Sequence, residues 1–336
     1  MSLKTPVSFF WEVSYACNLA CRHCYTNSDM FKVIPTNWHD VKDFLDQMKS
    51  MGIFTYAIGG GEPMVLPFIY DMIEYSTSIG LGVSITSNGT LIGPKEAKKL
   101  KKAGLDVIQI SIDGTNQTHD NIRGGGTFEK AIRAVNFLNE EGIAVRFGTT
   151  INKENYNEIP DIIQIAKDNF VQVVAFFRYM PTSKRGDGLE LDKHDMLRVA
   201  RSLVECDKNS IKVRNEHGEK FYLNFTPLSF FTFLIREKDL HNTICTAGRG
   251  KFNLQSNGSV TPCSHLPMVM GNIFEEDPYT VWRKFEKITD DINTIPKNCL
   301  SCRYANLCRG GCKGISYIKH GDFSHKDDAC FLDLLN

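Results

Sequence analysis

From Val7 to Met180 the chain alternates two hydropathy patterns. Short runs rich in β-branched and aromatic residues predict strands at Val7–Ser14, Phe54–Ile58, Gly82–Thr86, Val107–Ile112, Ala144–Thr150 and Val171–Tyr179. Between them, apolar residues recur every three to four positions, which predicts amphipathic helices at Asn37–Met51, Pro67–Ile79, Pro94–Ala103, Phe128–Glu141 and Tyr156–Lys167. The punctuation agrees. Pro67 and Pro94 sit near first turns, Thr127 is placed to cap the next helix, and Gly80, Gly104 and Gly142 follow helix ends. Strands separated by helices imply an α/β fold of parallel βαβ units with right-handed crossovers. Periodicity leaves open whether they form a doubly wound sheet or a partial (β/α) barrel. The pattern breaks in a charged loop at Lys184–Gly188. A helix is expected over His194–Asp207, then a Phe-rich stretch from Ile211 to Leu240. From Thr243 the chain is rich in cysteine and turn residues, with only short regular runs expected. Its thin apolar content predicts a small region that needs metal to fold. Three segments follow: 1–190, a linking region 191–242, and 243–336.

Composition narrows the function classes. The 336 residues carry 39 Lys+Arg against 39 Asp+Glu, so no net positive field points to nucleic acid. No apolar run approaches the roughly 18 residues of a membrane span, and the first residues lack a signal-peptide pattern. A cytoplasmic protein without membrane or nucleic-acid partners is expected. The eleven cysteines are unevenly placed. Cys17, Cys21 and Cys24 cluster, Cys206 stands alone, and Cys245, Cys263, Cys299, Cys302, Cys308, Cys312 and Cys330 lie near the C-terminus. An odd total without an export signal favours metal ligation over disulfides.

Cys17-x3-Cys21-x2-Cys24 directly follows the first predicted strand. Three thiolates on one loop are one short of a tetrahedral site, and they suit a 4Fe-4S cluster with one iron free for an exchangeable ligand. Zinc completed by a neighbour such as His23 is the other reading. The end of a strand is where α/β barrels and open sheets place their sites.

With His23 before the third cysteine, this loop resembles that of the radical S-adenosylmethionine (SAM) enzymes, and further motifs agree in order. Gly60-Gly61-Glu62-Pro63 matches the family's G-G-E-P, whose backbone meets the methionine amino group of SAM. Thr86-Ser87-Asn88-Gly89 matches its third-strand motif on the substrate side. Ser111 matches a serine at the ribose and methionine end, and Arg123 an arginine that reaches the SAM carboxylate. The resemblance implies a partial (β/α)6 barrel in which the Cys17/Cys21/Cys24 cluster and SAM generate a 5′-deoxyadenosyl radical.

Downstream, Cys245-x12-Gly258-x4-Cys263, Cys299-x2-Cys302-x5-Cys308-x3-Cys312 and Cys330 resemble the SPASM extension, which holds two auxiliary 4Fe-4S clusters in some of these enzymes. A zinc ribbon is the alternative for the central four. The family pattern gives Cys299, Cys302, Cys308 and Cys330 to an outer cluster and Cys245, Cys263 and Cys312 to an inner one. The inner cluster is then one ligand short, with an open or non-cysteine-ligated iron; Cys206 reads better as a small core residue. Some SPASM enzymes that oxidise sulfatases carry an acid after the second cysteine, where this chain has Ser264.

The subgroup resemblance is to the mycofactocin and pyrroloquinoline quinone maturases, on the stretches Trp11–Cys21, Ile58–Pro63 and Cys308–Cys312. It implies oxidative modification of a ribosomal peptide by crosslinking or decarboxylation. With 16 residues before Cys17, either a separate leader-binding protein presents the peptide or the substrate is not a leader peptide, and a flavodoxin or ferredoxin-type donor is expected to supply electrons. Enzymes acting on tetrapyrrole side chains or tungstopterin share much of the pattern and form the alternative. A zinc-stapled binding protein is the non-enzymatic one. Phe176, Phe177 and Arg178, with Phe221–Phe233, are candidates for a substrate pocket, although large apolar residues are usually core.

Overall fold

The computed structural model describes residues 4–29, 37–217, 222–225 and 247–335. Six parallel strands lie side by side in chain order: β1 (Ser8–Ser14), β2 (Thr55–Gly60), β3 (Gly82–Ser87), β4 (Val107–Ser111), β5 (Ala144–Ile151) and β6 (Val173–Arg178). The crossovers are α1 (Trp38–Ser50), α2 (Ile69–Ser78), α3 (Pro94–Lys102), α4 (Asn116–Arg123), α5 (Thr127–Glu140) and α6 (Ile159–Asp168). A doubly wound sheet reverses its strand order at a switch point. Here the order runs from β1 to β6 without reversal, so crossovers of one hand place the helices on one face, as in a barrel.

Alternation along β1 sets its two faces. Phe9, Trp11 and Val13 are buried in the core under the helices, where the Phe9 and Trp11 rings meet Phe44 of α1 edge-on. Phe10, Glu12 and Ser14 point the other way, into the barrel. Burying a side chain such as Trp11 stabilises the fold by a few kcal/mol, about 1.5–3 for a large apolar group.

The sheet continues beyond the six strands. β7 (Tyr222–Phe225) pairs in parallel with β6, and β8 (Lys251–Leu254) with β1. β9 (Ser259–Thr261) and β10 (Gly271–Asn272) add antiparallel strands outside β8. Between β7 and β6 in the chain lies α7 (Lys193–His217), longer than the sequence pattern suggested; Cys206 packs against the barrel core there.

Three expectations need correction. The C-terminal region is more regular and less thinly cored than its composition implied. It contains the fifteen-residue α8 (Pro278–Ile292), whose Trp282 and Phe285 join the main core with Phe252 of β8. The distal turns, with α9 (Ala305–Cys308) and α10 (Lys313–His320), lie beside a small separate cluster of Leu266, Ile292 and Phe323, while Cys308, Ala329 and Phe331 join the main core. Second, α4 was not foreseen, because its polar sequence buries little beyond His119 and Ile122. Third, Thr127 does not cap α5. Gly126 occupies that position, and the Asp120 carboxylate accepts from Gly126 N, Phe128 N and Thr127 Oγ1. Among the described residues no helix is long and apolar enough to cross a membrane.

Candidate functional site

The cysteine loop leaves the C-terminal end of β1 and is tied to its surroundings along its length. Cys17 N donates to Asp29 O, and Arg22 N to Ile122 O at the end of α4. Ser183 Oγ donates to Arg22 O, and Arg185 Nη2 to Ser28 O, from the segment after β6. Next to it, Gly61 N and Glu62 N donate to Ser14 O and Ala16 O. That approach requires glycine: Gly60 has φ +101°, and a Cβ on Gly61 would lie 2.0 Å from Ala16 O.

The three thiols feel one another. Burial pushes Cys17 up to about 12 against a hydrogen bond from Leu19 N, and Glu62, Cys21 and Cys24 push the same way. Burial also raises Cys21, opposed by the Arg123 guanidinium. Arg123 Nη1 lies 4.0 Å from Cys21 Sγ, and Asn88 Nδ2 lies 3.9 Å from Cys17 Sγ. Thiols crowded and buried in this way become thiolates only when cations replace their protons. The donor set therefore fits an iron–sulfur cluster held by three cysteines.

Beside the thiols is a buried charge cluster. Arg123 Nε donates to Asp113 Oδ2 at 2.5 Å, and His23 Nε2 lies 3.0 Å from the same oxygen. Burial alone would raise the Asp113 carboxyl, but Arg123 and His23 outweigh it and hold it well below the usual carboxylate range. His119 Nδ1 accepts from Asp113 N, and burial lowers that imidazole to about 4. His23 Nδ1 and His119 Nε2 have no hydrogen-bond partner among the described residues. Ser111 is buried at the end of β4, opposite Gly148 of β5. The Glu62 carboxylate is turned inward: it accepts from Met64 N, Ser87 Oγ and Asn88 N.

A second buried acid went unrecognised in the sequence. Glu12, pointing into the barrel, accepts from Tyr15 OH at 2.8 Å and Tyr25 OH at 3.1 Å. Burial outweighs these bonds and raises Glu12 to about 7. The Tyr25 ring meets His265 edge-on at 5.3 Å, which links the cysteine loop to the turn carrying Cys263. An acidic residue at an inward position of an otherwise apolar strand was the available signal.

In the C-terminal region, burial raises Cys308 to about 12, with Cys330 and Cys299 adding to it. Cys299 is raised by burial and then by Cys330 and Cys302. Cys299 is thus within electrostatic reach of each of the other three thiols. The turn carrying Cys263 meets the start of α10: a Cβ on Gly314 would lie 2.6 Å from His265 O. Cys245 and most of Phe221–Phe233 lie outside the described residues. Phe176 is fully buried core.

Comparison with known proteins matches the first cysteine loop and part of the C-terminal cysteine region. Residues 11–166 match the model of the Radical SAM superfamily, and residues 245–303 that of the SPASM iron-sulfur cluster-binding domain. The chain is 29% identical to the AdoMet-dependent heme synthase of Methanosarcina barkeri, covering 97% of each chain. It is 28% identical to the mycofactocin maturase MftC of Mycobacterium tuberculosis, covering 98% of this chain and 83% of that one. In fold it is similar to Streptococcus suis SuiB bound to S-adenosylmethionine, with a TM-score of 0.78 and 22% identity over 98% of this chain and 78% of that one. The zinc-stapled binding reading falls with these matches. The chain is a radical SAM superfamily enzyme with a C-terminal SPASM iron-sulfur cluster-binding domain.

Proposed function

We propose that this cytoplasmic enzyme oxidatively modifies a ribosomally made peptide, leaving a C–C or C–S crosslink or a decarboxylated residue. The observation that carries the reading is the likeness to mycofactocin maturase along 98% of the chain. When bound, the cluster and SAM supply a carbon-centred radical able to take hydrogen from an unactivated carbon.

The chain's own residues orient and shield. Cys17, Cys21 and Cys24 would hold the cluster through three of its irons, leaving the fourth for SAM. The N–H groups of Gly61 and Glu62 are spent on the β1 loop, and Gly60 O and Glu62 O already accept from Thr26 Oγ1 and Val65 N, so an ammonium group would meet the turn chiefly at Gly61 O. Arg123 binds the SAM carboxylate, with Asp113 and His23 fixing its plane, and Ser111 faces the ribose. Glu62 holds Ser87 and Asn88 at the substrate side. Three clusters are expected, with Cys299, Cys302, Cys308 and Cys330 around the outer one. Cys245, Cys263 and Cys312 hold the inner one, whose fourth iron has no cysteine. Electrons come from a flavodoxin or ferredoxin-type donor, and a leader-binding protein presents the peptide.

A second reading has its own support. The likeness to AdoMet-dependent heme synthase covers 97% of both chains, which favours a small cofactor precursor such as a tetrapyrrole bearing carboxylate side chains. One experiment divides the two. The gene's neighbours are sequenced, and any adjacent short peptide is co-expressed and weighed. Loss of two hydrogens, or of carbon dioxide as well, supports the peptide reading. An unaltered peptide, together with conversion of iron-coproporphyrin III by the purified enzyme, overturns it in favour of the tetrapyrrole.

A further inference from the structure

Arg178 closes β6, opposite Ile151 of β5, and its side chain is 3% exposed. Its Nη1 donates to both oxygens of the fully buried Asp327, at 2.9 Å each. Its Nε and Nη2 find no hydrogen-bond partner among the described residues. These two N–H groups share one edge of the planar guanidinium. Together they make the side-on fork that grips a carboxylate through two parallel bonds. A buried fork left open carries the desolvation cost of two donors, which an anion seated on it would relieve.

The fork is rigidly aimed. Asp327 accepts from Cys312 N at 3.3 Å and Ala329 N at 3.0 Å, and its own N donates to Gly310 O at 2.8 Å. One side of Arg178 is thus anchored in the turns that carry Cys312 and Cys330. On the other side, the residues after it run back over the cysteine loop. Asn27 Nδ2 donates to Thr182 O at 3.2 Å, and Lys184 N to Asn27 Oδ1 at 2.7 Å. Thr182 Oγ1 and Arg185 Nε also lack partners among the described residues, so unspent polar groups recur along this segment. Arg178 therefore stands where the end of the barrel meets the SPASM cysteines.

We propose that the Nε/Nη2 fork of Arg178 seats a carboxylate of the substrate, with Asp327 as the residue that positions it. The inference rests on the enzyme reading above and adds a substrate class: a carboxylate-bearing molecule held between the SAM end of the barrel and the auxiliary cysteines. A peptide terminus or acidic side chain and a porphyrin propionate share that chemistry.

The test uses reconstituted holoenzyme and two matched probe pairs under anaerobic equilibrium dialysis. One pair is iron-coproporphyrin III and its tetramethyl ester; the other is a synthetic pentapeptide with a free C-terminal carboxylate and its amide. The wild type should bind the acid of one pair roughly tenfold or more tighter than its neutral form, and the pair that shows the preference identifies the source. Arg178→Met should abolish the preference. Arg178→Lys, which keeps the charge without the fork, should retain only part of it and stands in if the Met variant does not fold, as judged by iron and sulfide content. No acid preference in either pair, or full preference in Arg178→Met, overturns the carboxylate seat. So does a changed auxiliary-cluster EPR signal with the preference intact, which gives the fork to a cluster sulfur. SAM cleavage by the wild type is measured alongside. Cleavage without acid preference removes this site and leaves the radical SAM reading standing.

Discussion

The two cysteine regions solve the same chemical problem in different ways. Cys17, Cys21 and Cys24 sit on one loop whose ties run to β1, α4 and the segment after β6, all part of a barrel with a large continuous core. Cys299, Cys302, Cys308 and Cys330 are spread over separate short turns that reach the main core through Cys308, Ala329 and Phe331, beside a small cluster of Leu266, Ile292 and Phe323. The first cage is prepared by the fold and should survive the loss of its metal. The second has little apolar support of its own, so its metal contributes directly to folding.

The largest effect that separates them is on stability. Cys330→Ala should cost at least about 3 kcal/mol, on the order of 5–10 °C in Tm, and expose the region after α8 to limited proteolysis. Cys21→Ala should leave the melting temperature within about 2 °C, since its loop is braced by the barrel. Equal losses of Tm in both variants would break the comparison.

A smaller effect sharpens the account of the first cage. Arg123→Lys keeps the charge but loses the fork, and should weaken SAM binding roughly 10- to 100-fold by equilibrium dialysis. Asp113→Asn only loosens the guanidinium and should cost less, about 3- to 10-fold. Unchanged SAM affinity in both would remove Arg123 from the SAM carboxylate.

A further effect concerns the barrel interior. Glu12 is raised to about 7 by burial, against its bonds from Tyr15 and Tyr25, so the folded state holds its proton more tightly than the unfolded chain does. The stability this contributes is complete below the unfolded value near 4.5 and is lost as pH rises through about 7. At most about 3 kcal/mol is involved. Glu12→Gln should flatten the decline of Tm between pH 5 and 8. Parallel wild-type and variant curves would contradict the burial of an ionisable Glu12.

What the sequence made legible followed from the range of the interaction involved. The six barrel strands and five of the crossover helices announce themselves through local periodicity, and Cys17, Cys21 and Cys24 lie within one loop. The doubly wound alternative remained because hand and strand order are global. α4 was hidden by its polar composition, although it delivers Arg123 to Asp113. The C-terminal region was misjudged because Phe252 stacks on Phe9, more than two hundred positions away, and brings Trp282 and Phe285 into the main core with it. Arg178 was visible as a charged residue ending a strand, but nothing local tied it to Asp327, 149 residues on.

The most direct test of the central claim is the anaerobically reconstituted protein beside a Cys17→Ala/Cys21→Ala/Cys24→Ala variant. Each is assayed for iron, sulfide and dithionite-driven release of 5′-deoxyadenosine from SAM. The account predicts about twelve irons in the wild type and about eight in the variant, which keeps its other clusters but releases no 5′-deoxyadenosine. A folded variant that retains the full iron complement, or still cleaves SAM, would contradict it.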